Sequence, residues 1–232
     1  MKKVFVDCQK CIFKKNCLSS FLTPLQRKKW NRIKESAACS DKDFVYQEGE
    51  TSKGIMMVCK GRVKIYLKDM YNQQMIIWIK HPGDMFGHIC FFSGEEFLGN
   101  AECMGNTIIS VIKEKDLKTF LSEDVYKLLL NRISLDMRKI FYKLKDTAYL
   151  PAKNKIAQTL LNYISYKTRN SLTPTIYGLK RTEIAEITGL ALETVVRTLA
   201  SFEKKGLIKR ELRSIKILDL ERMNKLANLQ RI

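Results

Sequence analysis

Residues 181–206 read RTEIAEITGLALETVVRTLASFEKKG, and this stretch decides the fold of the C-terminal part of the chain. Ile184, Ala185, Ile187 and Leu190 give a first short helix one apolar face. Gly189 supplies the corner that follows, where a positive φ costs glycine nothing. Val195, Leu199 and Phe202 then return at helical spacing and bury one face of a second helix. Its other face carries Glu193, Thr194, Arg197 and Thr198, polar groups of the kind that reach base edges. The pattern is that of a helix-turn-helix whose second helix enters the major groove of double-stranded DNA. Thr182, at the head of the first helix, joins Glu193, Thr194, Val196 and Arg197 as the expected DNA-contacting set. The competing account of Glu193 and Arg197 is an i,i+4 ion pair on a solvated face.

Charge agrees with a polyanionic partner. The 232 residues carry 42 Lys and Arg against 24 Asp and Glu, a net charge of +18. Residues 151–232 hold 16 of those cations and only 7 of the anions, so charge density is highest around the two helices. A hydrophobic content of 45% suits globular cores, and the length suits two domains. No secretory pattern opens the chain and no apolar run reaches the ~20 residues needed to span a bilayer, so a cytoplasmic protein without membrane contact is expected. Seven cysteines, an odd number, argue for thiols, metal ligation or redox chemistry rather than a disulfide framework.

Working outward, residues 206–220, GLIKRELRSIKILDL, read as a β-hairpin, the wing of a winged helix. Before the helix pair, Ile156, Leu160, Leu161 and Ile164 stripe another helix, and Pro151 separates it from a long helical pattern over Ser122–Tyr149. In that pattern Leu130, Ile133, Met137, Ile140 and Leu144 alternate at three and four, the spacing of a coiled-coil seam and the expected interface of a homodimer. Packing on the helix's own domain would give the same spacing. From about Phe44 to Ile112 the chain turns β, with runs such as GIMMVCKGRVKIYL, QMIIWIKH and NTIISVI punctuated by glycines. A compact roll or barrel is expected there. Thr23 to Glu35 reads as a short helix with Pro24 in its first turn. The division is a cysteine-rich leader (1–20), a β-roll (21–121), a dimerisation helix (122–150) and a winged helix-turn-helix (151–232).

The order of these parts resembles the CRP/FNR family of bacterial transcription regulators. The anchors are VYQEGETSKGIMMVCKGRVKIY, HPGDMFG and LALETVVRTLASFEKKGLI. The resemblance implies an α+β chain: an N-terminal double-stranded β-helix like that of cyclic-nucleotide-binding domains, a long dimerisation helix and a C-terminal winged helix-turn-helix. It implies a homodimer on a palindromic operator, with RNA polymerase as a protein partner. In the family, the residues matching Glu193 and Arg197 read the G·C pairs of a TGA-containing half-site. A guanidinium can bond guanine O6 and N7 together, and a carboxylate can accept from cytosine N4. Leu192 and Val196 replace an arginine and a serine found in subgroups of the family, so the outer bases of the operator are expected to differ.

Cyclic AMP is not expected as the effector. Cyclic-nucleotide members carry a Glu and an Arg-Ser pair after the Gly-Asp-x-x-Gly turn. Here Gly87 is followed by His88 and Ile89, and FFSGEEFLGNAEC (91–103) holds no arginine. A buried phosphate without a cation would be poorly compensated.

The leader holds Cys8-x2-Cys11-x5-Cys17 among Lys10, Lys14 and Lys15, cations that favour thiolates. The spacing resembles that of FNR-type oxygen sensors, where three such thiolates and one distant cysteine hold a [4Fe–4S] cluster. Zinc, a thiol switch, another small effector of the roll, or no cofactor are the alternatives. The position matching the family's distant cysteine is Ser110, which leaves Cys103 as the expected fourth ligand. Cys39, Cys90 and Cys59 are further candidates, although Cys59, inside IMMVC, reads rather as a buried core thiol, and an aspartate or a histidine such as His88 could also serve. No enzyme is expected: there are two histidines, no G-x-G-x-x-G and no Walker A sequence.

Overall fold

The structure is a computed structural model and describes residues 2–13, 17–118, 122–165 and 168–227. Lys14 and Lys15 of the leader lie outside the described residues. The chain divides into two compact units, Met1–Arg138 and Lys139–Ile232.

In the first unit, β1 (Lys2–Lys3) leads through the cysteine segment and a 3-10 turn at Leu18–Phe21 to α1 (Pro24–Ile33). Thr23 caps α1 reciprocally. Its hydroxyl accepts from Gln26 N, and the Gln26 carboxamide accepts from Thr23 N at 2.8 Å, with Pro24 in the first turn. The strands β2 (Glu35–Cys39), β3 (Phe44–Tyr46), β4 (Gly54–Lys68), β5 (Gln74–Lys80) and β6 (Met85–Phe86) follow, then α2 (His88–Ser93) and β7 (Asn100–Lys113). All pairings are antiparallel, in the order β1-β2-β7-β4-β5, with β3 on β7 and β6 on β4. Asp69 closes the β4–β5 turn, its Oδ1 accepting from Tyr71 N and Gln73 N.

Both faces of β4 are buried, so side-chain alternation sorts its apolar run into two cores. Met56 and Val58 join Tyr46, Val63, Phe86, Phe97, Cys103 and Ile109 in one, where the Tyr46 and Phe97 rings stack at 3.6 Å. Ile55 and Met57 face the other way, against Cys8, Leu18, Leu22 and Trp30 from the N-terminal segment. Leu117 of α3 (Glu114–Leu117) and Val125 and Leu129 of α4 (Glu123–Tyr149) complete this second core. Gly87, between β6 and α2, has φ of +76°, the left-handed region that favours glycine, and an added Cβ would lie 2.6 Å from Met56 Cε and displace that side chain.

The second unit starts within α4, which crosses the division between the units, and continues with α5 (Ala152–Asn162), β8 (Thr175–Tyr177), α6 (Arg181–Thr188) and α7 (Leu192–Lys204). It ends with β9 (Ile208–Arg210), β10 (Ser214–Ile217) and α8 (Leu220–Leu226). The order β8-β10-β9 makes a small antiparallel sheet. Ile156, Leu160, Ile184, Val195, Leu199, Phe202, Ile208, Ile217 and Met223 meet in one core that every helix and strand from α5 onward borders or enters. The hairpin expected at residues 206–220 is β9–β10, while β8 and α8 carried too little periodicity to be read in advance. No helix among the described residues is long and apolar enough to cross a membrane.

Candidate nucleic-acid interface and cysteine leader

The α6–α7 corner is built by local chemistry. Glu183 accepts from Lys180 N at 2.7 Å and satisfies an orphan donor at the start of α6. Gly189 ends that helix in the left-handed region, φ +65°, with its N–H bonded to Ala185 O. The carbonyl of Ala191 accepts from Thr194 N and Val195 N and opens α7. Val195, Leu199 and Phe202 are then committed to the core, which turns Glu193 and Arg197 to the exposed side. Thr194 and Val196 flank them half-buried, and Thr182 is exposed on the first turn of α6. Among the described residues no ion pair joins Glu193 to Arg197, so the competing i,i+4 pair is not formed.

The wing is pinned to α7 by charge. Glu203 takes Arg210 Nε at 2.7 Å, Nη2 at 2.6 Å and the Arg210 backbone N–H at 2.8 Å. These bonds hold the Glu203 carboxyl below the usual carboxylate range. The wing tip closes with Lys216 on Glu211 at 2.6 Å, leaving Leu212 and Arg213 exposed at the turn. Lys180, Arg181, Lys204, Lys205 and Lys209 are exposed in the same unit and supply the positive field that phosphates need.

On α4, Val125, Leu129 and Asp136 are buried, whereas Leu130, Met137, Ile140 and Leu144 are exposed and Ile133 is half-buried. The helix therefore has both faces that the sequence allowed: one on its own core, one apolar and uncovered. Asp136 meets Lys80 Nζ at 3.1 Å and His88 Nε2 at 3.5 Å. Arg132 holds Asp84 at 2.8 Å beside them. Burial, with the Lys80 cation next, pushes the His88 imidazole down to about 4, so His88 is a neutral buried side chain. Sequence reading missed this cluster, because the partners in each pair lie 48 or more residues apart along the chain.

The leader is laid along β2 and α1. Val4 N donates to Ser36 O at 3.0 Å, the Lys34 ammonium to Val6 O, and Cys8 N to Asn31 Oδ1 at 3.1 Å. Cys8 is buried, with its thiol raised by burial against the pull of Lys34. Cys11 and Cys17 are half-buried, and Cys17 Sγ lies 3.9 Å from Met57 Sδ. Among the described residues no three His, Cys, Asp or Glu side chains already converge on a metal position. Three soft donors on one short, backbone-anchored segment nevertheless fit a thiolate-bound group. Cys103 does not meet them: it is buried in the other core beside Cys39, its thiol pushed up to about 12 by burial and by that neighbour. Ser110 is fully buried, 2.7 Å from Ser36 Oγ and 3.0 Å from Cys59 Sγ.

Comparison with known proteins agrees with the two units. Residues 38–124 match the cyclic nucleotide-binding domain and residues 154–226 the Crp-like helix-turn-helix domain. The chain is 26% identical over 189 residues to a CRP-like cAMP-activated global transcriptional regulator of Mycobacterium tuberculosis, covering 79% of this chain and 84% of that protein. It is 29% identical over 178 residues to the cAMP-activated global transcriptional regulator Vfr of Pseudomonas aeruginosa, covering 72% and 81%. Among solved structures, FixK2 from Bradyrhizobium japonicum superposes with a TM-score of 0.73 at 22% identity, over 84% of this chain and 97% of that one. A crp/fnr-family regulator from Eubacterium rectale gives 0.71 at 18%, over 91% and 97%. These relatives are regulators rather than enzymes. With a roll, a long helix and a DNA-binding helix pair in this order, the chain belongs to the CRP/FNR family of DNA-binding transcription regulators.

Proposed function

We propose that this regulator binds a palindromic operator as a homodimer and takes its input from an oxygen-labile [4Fe–4S] cluster on Cys8, Cys11 and Cys17. The observation that carries the reading is that Cys8 shares one apolar core with Val125 and Leu129, at the start of the helix whose far face is the exposed seam. The cluster supplies an oxygen-sensitive set of bonds to the leader thiolates.

The chain's own residues transmit that state. A leader held by its thiolates keeps Cys8, Leu18 and Leu22 in the core and so braces Val125 and Leu129. A leader set free withdraws those side chains and loosens the start of α4. A coupling of about 1–3 kcal/mol is enough to change operator occupancy by roughly one to two decades. On DNA, Arg197 and Glu193 read bases while lysines of the second unit neutralise phosphates. RNA polymerase is the protein partner of this reading.

The named relatives are cAMP-activated. In this chain Tyr46, Phe86 and Phe97 occupy the interior of the roll, and residues 91–103 bring two glutamates and a third at Glu102 but no arginine to balance a cyclic phosphate. The test is purification without oxygen. A brown protein with ~4 iron atoms per chain, bleached by air and losing operator affinity with its colour, supports the reading. Colourless, metal-free protein that binds the operator equally in air and under nitrogen overturns it.

A further inference from the structure

We infer that Cys59, on β4, is the fourth thiolate of the leader site. The inference rests on the cluster proposed for Cys8, Cys11 and Cys17, and concerns which side chain completes it.

Sidedness is the first argument. Ile55 and Met57 of β4 point to the core that contains Cys8 and receives Cys17. Met56 and Val58 point to the other core. The β4–β7 pairing shifts between Val58 and Lys60, and odd-numbered Val63 and Ile65 beyond the shift lie in that other core, so strand alternation alone does not fix the side of Cys59. Its contact with β7 does. Its Sγ lies 3.0 Å from Ser110 Oγ, and Ser110 is the register partner of both Met57 and Ser36. Met57 Sδ in turn lies 3.9 Å from Cys17 Sγ. Cys17, Met57, Ser110 and Cys59 thus meet around one register position.

Ser36 and Ser110 form a hydroxyl pair at 2.7 Å that ends on Cys59, so Ser110 can donate to a thiolate there while Ser36 donates to Ser110. Ligation replaces the Cys59 S–H by an S–Fe bond to the assembled cluster and releases the proton to solvent, with no change of redox state.

The other candidates are placed elsewhere. Cys39 and Cys103 are buried together in the opposite core, against which Cys90 also packs. His88 is engaged with Asp136.

The experiment uses the full chain, purified without oxygen, with iron, acid-labile sulfide, zinc and visible absorbance measured per chain. Wild type and Cys103→Ser are expected to hold ~4 Fe, and Cys59→Ser and Cys17→Ser less than about a quarter of that. Wild-type iron in Cys59→Ser, or iron lost on Cys103→Ser with the far-UV spectrum unchanged, overturns the inference. Iron-free wild type overturns the cluster reading. If that protein instead holds one zinc that Cys59→Ser loses, the four-thiolate set stands without the cluster. The double variant C59S/S110C restores a thiol one hydrogen bond away, and recovery of iron in it supports the assignment. Iron missing from C59S only together with its native far-UV spectrum, and missing from the double variant too, overturns it.

Discussion

At the scale of single residues, the proposed DNA contacts of the second unit divide into side chains that specify and side chains that attract. Arg197 is exposed on α7 and unpaired with Glu193, so its guanidinium can meet a guanine edge without first breaking a contact to that carboxylate. Arg197→Ala is expected to weaken operator binding by about 1–3 kcal/mol, roughly 5- to 150-fold, and to flatten preference at one base pair of each half-site. Competition with single-base operator variants measures this; an equal loss on random DNA would make Arg197 a phosphate contact instead. His88 makes a different kind of prediction. Burial, with Lys80, lowers its folded pKa from 6.5 to about 4, against a partial pull from Asp136 in the opposite direction. As pH falls through that window the unfolded chain takes up a proton that the folded chain refuses, so stability is lost there and none is lost to this group above it. Urea unfolding at pH 7.5 and pH 5 should therefore show a smaller gap in His88→Gln than in wild type. The same gap in both proteins would assign the acid sensitivity to other groups.

At the scale of elements, α4 has adjacent residues with opposite duties. Leu129 is 1% exposed in the first unit's core, and Leu130 is 66% exposed on the seam. Leu129→Ala should lower unfolding free energy by about 2–5 kcal/mol through the cavity it leaves. Leu130→Glu should leave the far-UV spectrum intact and shift the chain from dimer to monomer in sedimentation. A monomeric wild type would remove the basis for this comparison and for the seam. The sequence showed this helix, α6 and α7 clearly, because their apolar residues follow one period over two or more turns. It did not show β2 or α8: ESAAC has no large apolar alternation, and LERMNKL is too short for a stripe. It also hid the side on which Cys59 stands. In IMMVC every residue is apolar, since β4 is covered on both faces, and a run without alternation carries no information about sidedness. Cys103 is the fourth ligand expected from the sequence because Ser110 stands at the family's cysteine position, and it is the division into two cores, invisible in the sequence, that separates Cys103 from Cys8.

At the scale of the whole molecule, the net charge of +18 makes affinity for DNA a function of salt, and that dependence counts how many phosphates are engaged. A dimer places two recognition helices about one helical turn apart, near 34 Å, and each brings its own lysines and arginines to the backbone. The slope of log affinity against log salt is about −0.9 for each phosphate neutralised. An input that acts through the seam of α4 must change this slope, because a half-bound dimer or a monomer engages about half the phosphates. Protein kept without oxygen is therefore expected to show a steep slope on the full operator, and air-exposed protein a slope roughly half as steep. Leu130→Glu should show the shallow slope in both conditions. A fall in affinity on exposure to air with the slope unchanged would point elsewhere: the dimer would persist with both helices on the backbone, and the leader would act on how Arg197 and Glu193 meet the bases rather than on association.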